Sequence, residues 1–454
     1  MLKKIANQEF VQELKKILKI GVPAVLESIL IAFAGLIDSY MVSTLGTTAV
    51  AAVGLTTQPK FIVLAPFAGA NVALSALVAR RRGENKKKSC NQIFITFLVF
   101  AVSASILLSV AIIFFANPII RACGSRPSTH DNAVLYFRII TGGTIFNCIQ
   151  LGINAAWRGA GYTKITFHTN LVANFVNIVL NYLLINGHFG FPAWGIKGAA
   201  LATVTGTIVA CVMSILSVLK KDAFISIPYI CENKIKPSWS AFKSLIHLGY
   251  GIFLEQILMR IGLMISSLMA ADQGVNAMAA HQVGMNILGL SFSFGDGLQA
   301  TAVALIGYNL GAGQLEKVKS YARKCKGLGH LISVFLAITY YLLGEGVYSL
   351  FFPGESDIIN IGIKIMNIAA LVVVIQISQV INMGCLRGAG DTLYTAVVSI
   401  VSVTIIRTMC SWFFCYCMNY GIIGVWLGVV GDQLSRATLS FIRYKNGKWL
   451  YNKF

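Results

Sequence analysis

The chain alternates long apolar runs with short polar segments. A helix crosses a bilayer in about 20 residues, and twelve of the runs are at least that long. They cover residues 17–40, 59–79, 92–116, 134–155, 165–187, 197–219, 245–271, 278–306, 327–351, 358–385, 393–416 and 421–443. Hydrocarbon forces each run to satisfy its own backbone hydrogen bonds, and the alternating pattern of barrel strands is absent. The sequence therefore predicts an all-α polytopic membrane protein with twelve transmembrane helices, called spans 1 to 12 below.

Composition supports this prediction. Of the 454 residues 56% are hydrophobic and 12% are charged, whereas a soluble domain is about 25% charged. A soluble enzyme, a disordered scaffold and a disulfide-stapled secreted module are all disfavoured. The N-terminal segment is polar, and the apolar run after it is too long for a cleaved signal, so we expect it to be retained.

The net charge of +20 would indicate nucleic-acid binding if the basic residues formed one patch. They are dispersed instead: 29 of the 37 Lys and Arg lie in loops, tails and helix ends on the side of the N-terminus, against about six on the other side. The positive-inside rule places that side in the cytoplasm. We expect a multi-pass protein of the cytoplasmic membrane with both termini cytoplasmic and no nucleic-acid partner.

The two halves of the chain repeat one another, which is typical of a duplicated bundle. Three pairs of segments match in order at offsets of 226 to 229: GVPAVLESIL (21–30) with GYGIFLEQIL (249–258), WRGAGYT (157–163) with LRGAGDT (386–392), and WGIKGAALATVTG (194–206) with YGIIGVWLGVVGD (420–432). Six spans per half make the repeats parallel. We predict an N-lobe over 1–221, a cytoplasmic connector over 222–244 and a C-lobe over 245–454.

Asp38 is the first candidate functional residue, because charge inside a membrane is costly and usually functional. Spans 1, 3, 5 and 6 offer no Lys or Arg at its depth, so its carboxylate must hold a proton or bind a cation. An Asp at a helix end facing water is the alternative. Glu27 lies 11 residues earlier on the same face and is interpreted as a water-facing acid.

Span 5 carries an asparagine stripe, consisting of Asn170, Asn174, Asn177 and Asn181. The spacing places the four within about a 60° arc of the helix. The pattern favours a wet or ligand-lined seam over plain helix packing. Thr203 and Thr205 of span 6 can complete an oxygen-rich site with Asp38, and hard cations take oxygen ligands. A Na⁺ ion held by Asp38, Asn177 and Asn181 is therefore a hypothesis.

The second half has a different polar set. Glu255 and Asp296 lie at similar depth, and Arg260 and Arg407 are close enough in depth to neutralise them. The set is interpreted either as structural ion pairs or as a proton or substrate-cation site. Gln376 and Gln379 of span 10 lie at the depth of Glu255 and are weaker candidates. Asp432 and Arg436 form an i, i+4 pair that we interpret as structural.

These motifs together resemble the multidrug and toxic compound extrusion (MATE) family over essentially the whole chain. The resemblance rests on GVPAVLE, on Asp38 with the following STLGTTAVAAVGL, on the two RGAG segments, on LIGYNLGAG (305–313) and on NYLLINGHFGFPAWGIKGAALAT (181–203). It implies two six-helix lobes in a V-shaped arrangement with a central substrate cleft. It also implies antiport of organic, often cationic, compounds against H⁺ or Na⁺, without a cofactor.

The resemblance also carries residue roles. Asp38, Asn177 and Thr203 match the family's polar residues of the N-lobe, and Asn181 falls where many members of the DinF-like branch have Asp. Glu255 matches the span 7 acid of the NorM-like branch, and Gln376 falls where that branch has an Asp. Ion coupling is therefore expected at Asp38, Asn177, Asn181 and Thr203. A polar substrate or second-lobe site is expected among Glu255, Asp296, Gln376, Gln379, Arg260, Glu27 and Asn174.

The leading hypothesis is thus an antiporter that acts as a monomer on small organic molecules and is not an enzyme. A flippase for lipid-linked precursors, from the same superfamily, is the alternative. Such proteins tend to have a strongly basic cavity, for which only Arg260 and Arg407 are available here. A membrane-embedded enzyme would need a histidine with an acid at catalytic spacing, and His168, His247 and His330 have none.

Overall fold

The computed structural model describes residues 2–451, apart from the side chains of residues 2–7 and Thr47. Met1 and residues 452–454, which complete the two predicted lobes, lie outside the described residues. Fifteen α-helices make up most of this part of the chain: α1 Leu2–Ser43, α2 Thr47–Gly83, α3 Lys87–Ala122, α4 Pro127–Gly142, α5 Thr144–Gly159, α6 Thr163–Asn186, α7 Gly195–Val218, α8 Ile227–Glu232, α9 Trp239–Asp272, α10 Val275–Gly311, α11 Leu315–Phe351, α12 Ser356–Gly388, α13 Thr392–Ile400, α14 Arg407–Trp412 and α15 Ile422–Lys445. Short 3₁₀ turns follow α6 and α15, and π-helical segments flank α14.

The predicted spans coincide with these helices, and the all-α fold is confirmed. Within residues 2–451, nine helices are long and apolar enough to cross a membrane, and the pair α4 and α5 adds a tenth span if it crosses as one. The remaining two predicted spans are the helices α10 and α15, which carry buried polar side chains such as His281 and Asp432. The chain is a multi-pass membrane protein.

Two predicted spans are not simple helices. Span 4 bends by 47° between α4 and α5, where Gly142 and Gly143 follow one another and weaken the helix. Span 11 changes from α13 to a π segment at Val401–Ile406, then to α14, then to a second π segment at Phe413–Cys417. The apolar pattern is continuous through both places, so hydropathy alone predicts straight helices.

The chain divides into two compact units. The first unit is Leu26–Gly249, and the second contains residues up to Val25 together with residues from Tyr250 onward. The boundaries fall inside α1 and α9, which open the two repeats. The predicted lobe limits at 221 and 245 remain a prediction, since a polar connector marks where the chain leaves the membrane rather than where packing changes.

Each unit has its own apolar core. In the first unit a core cluster includes Ile120, Phe137 and Ile185, and α6 packs against α7 while α2 packs against α3, α4 and α5. In the second unit the core includes Ile377 and Trp426, and α12 packs against α10, α11 and α15.

The duplication is visible in the backbone as well as in the sequence. The RGAG segments place Gly161 and Gly390 at positive φ, 77° and 82°. Residues with a Cβ are strained in this conformation, whereas glycine is not. Asn85 and Gly313, 228 residues apart, also share a left-handed conformation, with φ of 56° and 71°. Asparagine tolerates this region better than most residues, which explains why the two halves use different residues at one turn.

Candidate functional site

Asp38 lies on α1 and is held by the asparagines of α6. The Asn181 amide donates to Asp38 Oδ1 at 2.8 Å. With the Asn177 amide turned so that both of its ends are satisfied, its nitrogen lies 2.7 Å from Asp38 Oδ1 and its oxygen accepts from the Thr203 backbone N–H at 3.2 Å. Asp38 is half-buried, and both asparagines are buried. The four residues assigned to ion coupling are therefore neighbours.

Two residues absent from the sequence-based set complete this site. Tyr136 lies against Thr203 and within electrostatic range of Asp38. Lys60 of α2, half-buried, is the cation that acts on the Asp38 carboxylate. No salt bridge within 4 Å joins the two in the described part of the chain. The prediction that positive charge is nearly absent around Asp38 considered spans 1, 3, 5 and 6 but not span 2, which carries Lys60.

The site has oxygen atoms that a cation can use. Asn181 Oδ1 is buried and has no hydrogen-bond partner among the described residues, and the nitrogen of the same amide donates to the Asp38 carboxylate. The Thr203 hydroxyl lies 3.4 Å from the Asn177 amide group. No group of three or more His, Cys, Asp or Glu side chains that could hold a metal occurs in residues 2–451. One carboxylate with neutral oxygens suits a proton or a monovalent ion better than a divalent metal.

Glu27 is buried and does not face water as expected. It is 3% exposed, its Oε1 lies 2.9 Å from Nη1 of Arg158, and the Asn170 amide donates to the same oxygen at 2.8 Å. The Thr166 hydroxyl donates to the other carboxylate oxygen. An acid so fully compensated is a structural ion pair by its geometry.

The asparagine stripe thus connects the surroundings of two acids on α1. Asn170 contacts Glu27 at one end, and Asn177 and Asn181 contact Asp38 at the other. Asn174 lies between them, and its buried amide nitrogen has no partner in the described residues. The polar partners on the adjacent helix explain why three of the four asparagines lie on one face. Asn174 lies on the same face, but its amide nitrogen has no such partner among the described residues.

Glu255 repeats the arrangement of Glu27 in the second unit. Both carboxylate oxygens accept from Nη2 of Arg387, at 2.8 and 2.7 Å, and Nε of Arg387 donates to Thr395 at 3.3 Å. Arg158 and Arg387 are the arginines of the two RGAG segments, so the duplicated motifs bring an acid and an arginine together twice. Asp296 has an exposed side chain, and Arg387 is also the cation that acts on it.

Arg407, one of the two arginines expected to neutralise Glu255 and Asp296, lies instead beside Asp432. Nη1 of Arg407 lies 3.6 Å from Asp432 Oδ2, and Arg436 contacts both oxygens of the same Asp432 at 2.8 and 2.9 Å. Arg260 is half-buried.

The two glutamines of α12 are buried among neutral partners. Gln376 accepts from Ser291 at 3.3 Å and Gln379 donates to Gln433 at 3.4 Å. In the described part of the chain these hydrogen bonds go to Ser291 and Gln433 rather than to Glu255. They remain predicted members of the second-lobe polar site.

Sequence reasoning missed Arg158, Arg387, Lys60 and Tyr136. The first two carried a signal: each acid of a GVPAVLE-type segment has an RGAG arginine about 131 residues later. Lys60 and Tyr136 show no sequence signal other than their position in apolar runs. A single sequence does not reveal which helix faces Asp38.

Comparison with known proteins finds the same repeat. The MatE family model matches twice, at residues 23–183 and 252–413. The chain is 25% identical to the probable multidrug resistance protein NorM of Thermotoga maritima over 99% of this chain and 96% of the relative. It is 26% identical to the protein of the same name from Rhizobium meliloti over 88% of this chain and 86% of the relative.

Solved structures share the fold. The crystal structure of MATE in complex with MaL6 superposes with a TM-score of 0.89 at 22% identity, covering 95% of both chains. At this identity the similarity concerns the fold.

Proposed function

The chain belongs to the MatE family of membrane transporters, and from that premise we propose that it is a secondary antiporter. It exports organic compounds, cationic or amphiphilic, across the cytoplasmic membrane in exchange for H⁺ or Na⁺. Both termini are cytoplasmic, and the monomer is the working form. The multidrug resistance proteins that resemble it support drug export as the transported class.

The difference between the acids supports Asp38 as the ion-coupling residue. Glu27, Glu255 and Asp432 each contact an arginine. A carboxylate already paired in this way has little to gain from a proton or a metal ion. Asp38 instead accepts from neutral amides, which leaves its charge free to respond to a cation.

Binding at Asp38 is the step that we link to transport. A cation or proton neutralises the carboxylate and changes which hydrogen bonds Asn177 and Asn181 prefer. Such a ligand shifts the inward- and outward-open populations only by its difference in affinity for the two. Movement of the substrate out of the cell is then coupled to movement of the ion into it, because each ligand binds one of the two conformations more tightly than the other.

Asp38→Asn tests this proposal. The amide has the shape of the carboxylate but neither its charge nor its proton exchange, so we expect gradient-driven efflux from proteoliposomes to fall to the level of empty vesicles while substrate binding persists. Asp131→Asn, a change at an exposed acid of the same unit, is the matched control and should transport normally. Coupled efflux by Asp38→Asn at the wild-type rate would refute the proposal.

A further inference from the structure

A buried cluster of charges in the second unit has no role in the proposed antiport. It consists of Arg407 on α14 with Asp432 and Arg436 on α15, and their side chains are 4%, 0% and 6% exposed. Nε of Arg407 donates to Ser266 at 3.1 Å, and Nη2 approaches Met285 Sδ at 3.8 Å. Arg407 therefore uses a hydroxyl and a thioether in addition to a carboxylate that it shares.

Two features of the helices build the cluster. Gly424, Gly428 and Asp432 follow at four-residue spacing on α15, and the first two let the backbones approach, since a Cβ on Gly428 would lie 2.8 Å from the Arg407 carbonyl oxygen. Asp432 lies about one turn farther along the same face of α15, which the two glycines bring close to its neighbour. On the other helix, π segments immediately precede and follow α14, and such segments occur often at functional sites.

The charges do not balance. Two guanidinium groups share one carboxylate, and no second carboxylate lies within 4 Å of either one in the described residues. Arginine does not lose its proton in proteins. A residual positive charge in an apolar interior is costly unless an anion compensates it.

Two buried ring nitrogens without partners lie near the same cluster. His281 is 2% exposed and lies within electrostatic range of Arg407. Its ring meets the Trp426 ring edge-on at a centroid distance of 5.8 Å. Trp426 Nε1 and His281 Nδ1 are both buried without a hydrogen-bond partner in residues 2–451. The indole N–H can only donate, so its missing partner is an acceptor.

We propose that Arg407, together with this pair of rings, binds a small monovalent anion in the second unit. The ligand is a halide or a single carboxylate group, either free or carried by a transported zwitterion. Its charge compensates the excess positive charge of the cluster, and its lone pairs accept from the Arg407 guanidinium and from the unpartnered Trp426 indole N–H. The site is separate from the cation site at Asp38, and its occupancy does not depend on an ion gradient.

Thermal unfolding of the purified transporter in detergent tests the proposal without any transport. The sodium salt of 2-(N-morpholino)ethanesulfonate, a bulky anion without a carboxylate, is replaced stepwise by sodium chloride, sodium bromide or sodium acetate at constant ionic strength. An anion that binds the folded state raises Tm, and above its Kd the rise continues with the logarithm of the anion concentration. We expect such a rise in the wild type, its loss in Arg407→Gln, and its retention in Arg443→Gln, where the removed arginine has its own carboxylate, Asp391.

The three anions separate the sources of the ligand. A rise with halides assigns the site to a free inorganic anion, and a rise with acetate alone assigns it to a carboxylate. Equal Tm values in all four salts, or a full response in Arg407→Gln, would overturn the proposal.

Two further measurements cover the case in which Arg407→Gln does not fold. Asp432→Asn leaves both guanidinium groups without a carboxylate and should tighten the apparent Kd for the anion about tenfold or more. Wild-type crystals soaked in bromide should show anomalous density against the Arg407 guanidinium. Soaked crystals with no density there would count against the site.

Discussion

Asp38, Glu27 and Glu255 show that the partner of an intramembrane acid, rather than its depth, determines what it can do. Glu27 and Glu255 each have an arginine within 3 Å. Asp38 has two amides within that distance, and a lysine acts on it from farther away. The fixed ammonium of Lys60 repels a second cation at Asp38 by Coulomb's law, most strongly where water is scarce.

Lys60→Met should therefore alter ion use. Removing the ammonium strengthens Na⁺ binding at Asp38, and we expect efflux driven by a Na⁺ gradient to need about tenfold less Na⁺, which corresponds to about 1.4 kcal/mol. Proteoliposomes with imposed Na⁺ or pH gradients measure this directly. Lys197→Met, at an exposed lysine of the same unit, is the control; an equal effect in both variants, or none in either, would contradict the role of Lys60.

Arg158→Met should destabilise the protein strongly. It leaves Glu27 buried and unpaired, which typically costs about 3–5 kcal/mol, and Tm in detergent should fall accordingly. The double variant Glu27→Gln with Arg158→Met removes both charges and should recover most of the loss. Lys319→Met breaks an exposed pair with Glu316 and should change stability by less than about 1 kcal/mol. Equal losses in the single and double variants would argue against a buried-charge effect.

The candidate site was predictable at this scale only in part. Asp38, Asn177, Asn181 and Thr203 could be grouped because each is a polar residue in an otherwise apolar run. The pairing of Glu27 with Arg158 could not be predicted from helix depth, since Arg158 was counted among the basic residues of a loop end. Depth along one helix does not tell which neighbour it faces.

Helices α14 and α15 show how small residues position charge. The stripe of Gly424 and Gly428 allows close backbone contact, and the residue one turn farther is the Asp432 shared by two arginines. The bend between α4 and α5 and the π segments around α14 were not predictable from hydropathy. An apolar run reports burial in lipid or protein and is insensitive to how the helix is wound.

Gly428→Ala tests the close packing of α14 and α15. Its Cβ would lie 2.8 Å from both the Arg407 carbonyl oxygen and the Ser411 nitrogen, so backbone must move, and overpacking of this kind costs about 1–3 kcal/mol. Gly289→Ala in α10, where nothing lies within 4 Å of the added Cβ, should be neutral or stabilising by up to about 1 kcal/mol. Tm values in detergent compare the two, and similar values would indicate that the helices separate easily.

At the scale of the whole molecule, the duplication was the most predictable feature. Three motif pairs at nearly constant offset indicate it. The same duplication appears as two matches of one family model and as two acid–arginine pairs. The compact units were not predictable, because their boundaries at Val25 and Gly249 fall inside helices that show no change in composition.

The chain's own cysteines test the proposed topology. Cys231, in the connector, and Cys417, at the far end of span 11, both have exposed side chains. A variant retaining only Cys417 should react with a membrane-impermeant maleimide in intact cells. A variant retaining only Cys231 should react only after permeabilisation. The reverse labelling pattern would place the termini on the outer side.

The two acid–arginine pairs also constrain how the protein is made. Glu27 enters the membrane region with span 1, and Arg158 is synthesised 131 residues later. In the second half, Arg387 is synthesised 132 residues after Glu255. At a translation rate of about 5–20 residues per second, each carboxylate lacks its partner for roughly 7–26 s. During that interval the nascent helix must keep the acid protonated or near the lipid headgroups. Each of the two glutamates therefore gains its arginine only when the RGAG segment of its half leaves the ribosome.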